Sequence, residues 1–104
     1  MAKYLVSWKT RDGGSLAENE AAQERVLAVF SKWSPPANAT FHQFLSRLDG
    51  NGGYAVVESD DPLAVYEGPS KFGVAFEFDV SPVIDIMDGI PVGNEAIEFR
   101  KSIT

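Results

Sequence analysis

Lys71-Phe72-Gly73-Val74-Ala75-Phe76-Glu77-Phe78-Asp79-Val80-Ser81-Pro82 places large apolar side chains at Val74, Phe76, Phe78 and Val80, with acids at Glu77 and Asp79 between them. Successive side chains of a strand point to opposite sides. The stretch therefore predicts a strand from about Gly73 to Val80 with one apolar face and one acidic face. The acidic face either meets water or lines a polar cavity, and any claim of activity turns on which.

Working outward, residues 3–9 alternate in the same way, with Tyr4, Val6 and Trp8 on one side and Lys3, Leu5, Ser7 and Lys9 on the other. Thr10-Arg11-Asp12-Gly13-Gly14 reads as a loop. Ser15-Leu16-Ala17-Glu18 matches a capping box, in which Ser and Glu satisfy orphan amides at a helix start. Ala22, Val26, Val29, Phe30 and Trp33 then recur at helical spacing, giving a helix from about Leu16 to Lys32 that Ser34-Pro35-Pro36 stops. Thr40 to Leu48 is a second strand, with Phe41, Gln43 and Leu45 on one face and His42, Phe44, Ser46 and Leu48 on the other. Asp49-Gly50-Asn51-Gly52-Gly53 is a hairpin signal, and Tyr54 to Glu58 the third strand. Ser59-Asp60-Asp61-Pro62 opens a short helix, expected to end near Glu67 because Gly68-Pro69 interrupts the pattern. Beyond the fourth strand, Asn94 to Ser102 reads as a third helix.

The order is β-α-β-β-α-β, the ferredoxin-like α+β arrangement with an antiparallel four-stranded sheet, within a single domain over 1–104 and a C-terminal helical extension over 83–104. Both helices of that arrangement lie on one sheet face. Yet the first three strands carry apolar groups on both faces: Leu5 opposes Val6, Phe41 and Leu45 oppose Phe44 and Leu48, and Ala55 and Val57 oppose Tyr54 and Val56. Soluble monomers seldom leave such a patch in water. Pairing with a second copy under a two-fold axis is the expected solution. The alternative is a monomer in which the last helix covers the sheet.

Composition narrows the function classes. The chain has nine basic and fifteen acidic residues, a formal net charge of -6, and no cysteine. An acidic balance repels phosphate backbones and anionic membranes, so neither a nucleic-acid nor a membrane partner is expected. Lack of cysteine removes thiolate chemistry and thiolate metal sites. The N-terminus is too short in its apolar part for a signal peptide and reads directly as a strand, so the expected location is cytoplasmic.

Lys3-Tyr4-Leu5-Val6-Ser7-Trp8, the Gly50-Asn51-Gly52-Gly53 hairpin, the Ser59-Asp60-Asp61-Pro62 helix start, and Lys71-Phe72-Gly73 leading into Phe76-Glu77-Phe78-Asp79-Val80-Ser81-Pro82 together resemble the DUF3303 family. The resemblance runs over about residues 3–82. It implies a small bacterial protein with a dimeric α+β-barrel fold and no assigned activity, and it transfers no catalytic residue. In architecture the chain is similar, more distantly, to antibiotic-biosynthesis monooxygenases and muconolactone isomerases, a likeness of fold that does not decide function.

His42 is the single histidine, and histidine is the side-chain type that ordinarily titrates near neutral pH. As catalytic candidates we take His42 with Glu77 and Asp79. Two carboxylates on one strand face raise one another's proton affinity if that face lines a cavity. The plainer readings are a hydrogen-bonded strand histidine, and acids that guard a sheet edge against further pairing. Lone histidine spacing offers no metal site, the glycine-rich hairpin joins two strands and is no phosphate cradle, and no cofactor is expected. Trp8, Phe44 and Tyr54, from a larger aromatic set, are the candidate ligand-binding residues. The leading expectation is a homodimer that binds a small apolar or aromatic molecule. The alternatives are a cofactor-independent monooxygenase or isomerase using His42 with an acid, and a structural or regulatory dimer without a ligand.

Overall fold

The computed structural model describes residues 2–11 and 13–103; Met1, Asp12 of the first loop and Thr104 of the extension lie outside them. Seven elements follow one another: β1 (Lys3–Thr10), α1 (Leu16–Lys32), β2 (Thr40–Ser46), β3 (Gly53–Glu58), α2 (Pro62–Phe72), β4 (Phe76–Val83) and α3 (Ile86–Lys101). The strands form one antiparallel sheet in the order β2-β3-β1-β4. That is the α+β ferredoxin-like arrangement read from the sequence, with a third helix added. Among the described residues no helix is long and apolar enough to cross a membrane.

Register decides which side chains share a face. Tyr4 stands opposite Val57 and Pro82, Val6 opposite Ala55 and Val80, and Trp8 opposite Gly53 and Phe78. Directly opposed residues project to the same side. This side packs beneath α1 and α2: Val6, Ala55 and Val57 meet Val65 of α2, with Tyr4, Trp8, Ala39, Phe41 and Phe78 around them. The other side carries Lys3, Leu5, Ser7 and Lys9 of β1 with Tyr54, Val56 and Glu58 of β3. No helix covers it, and Leu5, Leu45 and Tyr54 are exposed there.

The starts of α1 and α2 form as their residues predict. The Ser15 hydroxyl accepts from the Glu18 amide, and the Asp61 carboxylate accepts from the Leu63 amide with Pro62 behind it. Ser59, only 1% exposed, ties the second junction together. Its hydroxyl donates to the Asn38 carbonyl at 2.8 Å and accepts from the Asp61 amide at 3.1 Å, and its own amide donates to the Ala2 carbonyl.

Several boundaries differ from the sequence reading. β2 contains a bulge between Phe41 and Gln43. The extra residue, His42, turns Phe41 and Phe44 to the same covered face, where simple alternation sets them on opposite ones. α2 continues five residues past Glu67, through Gly68 and Pro69, to Phe72. Proline inside a helix costs about 3 kcal/mol; here Phe72 packs its ring against Trp33 and Phe30, which offsets the loss. β4 consequently starts at Phe76, leaving Val74 exposed before it, and runs on through Pro82, which an edge strand tolerates. α3 begins at Ile86, well before Asn94, and includes Pro91. The carbonyl that Pro91 leaves without an amide belongs to Met87, on an exposed turn open to water.

α3 does not fold back over the sheet. It has no buried residue, and Ile86, Met87, Ile90, Val92, Ile97 and Phe99 are all exposed. The chain measures 64 × 31 × 21 Å with a radius of gyration of 18.4 Å, whereas a compact domain of this length has about 13 Å. At the root of α3, the Asp85 carboxylate makes no cap to its own helix. It accepts instead from Lys3 Nζ at 2.9 Å, and this bond holds the Lys3 ammonium pKa above its ordinary value.

Candidate functional site

A groove of about 440 Å³ lies between the covered sheet face and helices α1 and α2. Aromatic rings wall it in an unbroken chain. Trp33, just past the end of α1, has ring centroids 5.7 Å from Phe72, 5.8 Å from Phe41, 6.0 Å from Phe30 and 6.2 Å from Phe44. Phe44 continues to Trp8 at 5.5 Å, and Trp8 to Phe78 at 6.1 Å. Most of these pairs are edge-on or tilted, the arrangement that ring quadrupoles favour. Both tryptophans of the chain and every phenylalanine except Phe99 belong to this belt; none of the three tyrosines does.

The sequence folds this way for local reasons. Phe30 and Trp33 are three residues apart at the end of α1, so both point down onto the sheet. Trp33 is oriented from outside the groove: its indole Nε1 donates to both carboxylate oxygens of Glu67, at 3.1 and 3.2 Å. Lys71, one turn further along α2, pairs with the same carboxylate. Trp8 has its position because Gly53, opposite it on β3, has no side chain; a Cβ there would stand 2.6 Å from the indole ring.

Among the described residues, no side chain lining this groove is ionisable; only the Ser46 hydroxyl and the indole N–H groups are polar. Beside the groove lies a wider cleft of about 830 Å³, with Trp8, Val26, Leu27, Ser46 and Phe76 common to both. The cleft mixes polar and apolar lining, and the glycine-rich loops after β1 and between β2 and β3 frame it. Gly14, Gly50 and Gly52 adopt positive φ in these loops.

Trp8 and Phe44 thus meet in the groove, and Tyr54 does not join them: it stands on the uncovered face, opposite Ser7 and Leu45. Nor does the sheet bring His42 to Glu77 and Asp79. β2 and β4 are its two edges, separated by three strand spacings, about 14 Å. His42 Nε2 lies instead 2.6 Å from Glu58 Oε1 on the uncovered side. The His42 hydrogen bond holds the Glu58 carboxyl below the usual carboxylate range. Glu77 sits 3.7 Å from both Lys9 Nζ and an Arg11 guanidinium nitrogen, in the ladder of an exposed edge. Among the described residues no three acidic or histidine side chains cluster as a metal site requires.

Sequence reasoning passed over three contributors. Phe30 and Phe41 read as ordinary core residues of a helix and a strand, and Gly53 as part of a turn. The three-residue step from Phe30 to Trp33 was the available signal for the first. For Gly53 no local signal exists, because its role depends on pairing with a residue 45 positions away.

No curated protein matches the sequence. The family described as a domain of unknown function, DUF3303, matches residues 2–97. With 96 of 104 residues inside that match, and the fold and groove as described, the chain belongs to the DUF3303 family.

Proposed function

We propose that this protein binds a small apolar or aromatic molecule in the groove between its sheet and helices. One observation carries the reading: a 440 Å³ space walled by aromatic rings and, among the described residues, lined by no ionisable side chain. Ligand sites of this kind are commonly 300–1,000 Å³ and mostly apolar. Proton-transfer chemistry requires a titratable group within hydrogen-bond reach of the reacting atom. His42, Glu77 and Asp79 all stand away from the groove, which favours binding over the isomerase or oxygenase alternative.

The binding unit is a homodimer. Support comes from the uncovered sheet face, with Leu5 beside Val56 and Leu45 beside Tyr54 across three strands, and from α3, which projects from its own domain with Ile86, Met87, Ile90 and Phe99 exposed. Each is an apolar surface with no cover in its own chain. A second copy supplies both covers at once under a two-fold axis.

The test is thermal unfolding with a neutral, headless aromatic such as naphthalene. At a hundredfold excess over Kd, binding adds about 2.7 kcal/mol of stability, a rise in Tm on the order of 10 °C for a domain of this size. An unchanged Tm, with unchanged tryptophan emission, rules the groove out as a site.

A further inference from the structure

The groove and the cleft lie side by side, share five lining residues, Trp8 and Phe76 among them, and differ in chemistry. On the inner side the walls are rings. On the outer side, apolar residues such as Ala22 and Val74 alternate with polar ones: Asn19 and Gln23 on α1, Asn51 on the β2–β3 loop, and Thr10 at the end of β1. The side-chain amides of Asn19, Gln23 and Asn51 have no hydrogen-bond partner among the described residues.

Charges at the cleft are already engaged within the protein. Arg11 donates from Nε to the Gly73 carbonyl at 2.9 Å and lies 3.7 Å from Glu77. Glu18 is bonded to Ser15 in the α1 cap, and Asp49 is held by Arg47 and by the Asn51 amide. Among the described residues, two acids against one base give the cleft a slightly negative balance, within a chain of net charge -6. An anionic head is therefore disfavoured. For a cationic head, Asp49 is already paired with Arg47, and Glu18 is tied into the α1 cap by Ser15. The cleft side chains without a partner among the described residues are neutral donors and acceptors.

We infer that the ligand is an amphiphile: an apolar chain or ring system in the aromatic groove, joined to an uncharged, hydroxyl- or amide-bearing head held in the cleft by Asn19, Gln23 and Asn51. This rests on the groove being a binding site and adds the class of molecule that it takes. Free amides converging beside an apolar slot are the usual means of orienting such a ligand, and each net hydrogen bond contributes about 0.5–1.5 kcal/mol.

Four probes separate the possibilities: octyl glucoside below its micellar concentration, octanoate, octyltrimethylammonium, and naphthalene. Because both tryptophans line the groove, their emission reports occupancy directly. Octyl glucoside is expected to bind about tenfold more tightly than either charged octyl probe. The triple variant Asn19→Ala, Gln23→Ala, Asn51→Ala is expected to weaken the glucoside about tenfold and leave naphthalene within about twofold, since it touches no groove ring. Equal or tighter binding of octanoate or of the ammonium overturns the inference, as does a triple variant that still binds the glucoside normally. Should naphthalene fail as well, the groove itself is no site and the inference falls with it; naphthalene binding without head-group preference removes the inference alone.

Discussion

Gly53 lies across the β1–β3 ladder from Trp8, and its missing side chain is what lets the indole lean over the sheet and into the groove. A Cβ would also meet the Leu45 carbonyl, which is backbone and cannot swing aside. Gly53→Ala is thus expected to displace Trp8 and destabilise the fold by about 1–3 kcal/mol, the usual cost of overpacking. Chemical denaturation with tryptophan emission measures both effects, and an unchanged midpoint and spectrum would contradict the assignment. On the other face, Glu58 has its proton affinity lowered in the folded state by His42. A lowered folded-state value means that its stabilising contribution is present above the ordinary carboxyl pKa of about 4.3. The contribution is lost as pH falls through the lower folded value. Glu58→Gln should flatten the acid limb of the stability–pH curve. The effect is small, because both partners are partly exposed, and a limb of unaltered slope would show that the pair contributes nothing. That Trp8 and Phe44 share a wall was legible in their large rings beside strand alternation. That Tyr54 faces the other way was not, since which face a strand residue takes depends on register, and register is a property of pairs.

The starts of α1 and α2 were written clearly in the sequence. Ser15 and Asp61 cap their helices through bonds to Glu18 and Leu63, as their residue types predict. Asp61→Ala should therefore cost about 1 kcal/mol, read as a lower urea midpoint with unchanged m-value; an unaltered midpoint would show that Pro62 and Ser59 alone define that turn. Proline obscured the end of α2 and the start of α3. Pro69 and Pro91 both lie inside helices, and in each case something beyond the local chain outweighs the lost bond: the packing of Phe72 in α2, and access of water to the exposed turn of α3. The bulge at His42 was equally hidden, because an extra strand residue is defined only against its partner β3.

For the whole molecule, the sheet topology followed from element order, and the uncovered apolar face from the two-sided strands. The direction of α3 did not follow, since its sequence suits covering the sheet as well as projecting from it. The proposed dimer predicts a sedimenting mass near twice 11.3 kDa. Leu45→Lys, which sets a charge in the middle of the uncovered face where Leu45 is 50% exposed, should return the protein to single chains without unfolding it. A wild-type particle of 11.3 kDa would dispose of the pairing.

The two margins of the sheet are shielded by different means. β2 is kinked by its bulge, while β4 carries Glu77 tied to Lys9 and Arg11 and has Pro82 in its length. Neither rim is a flat, uncharged template onto which a further strand can add. A dimer of the proposed kind would therefore form through the broad surfaces and away from the rims, terminating at a closed particle without propagating into a fibril.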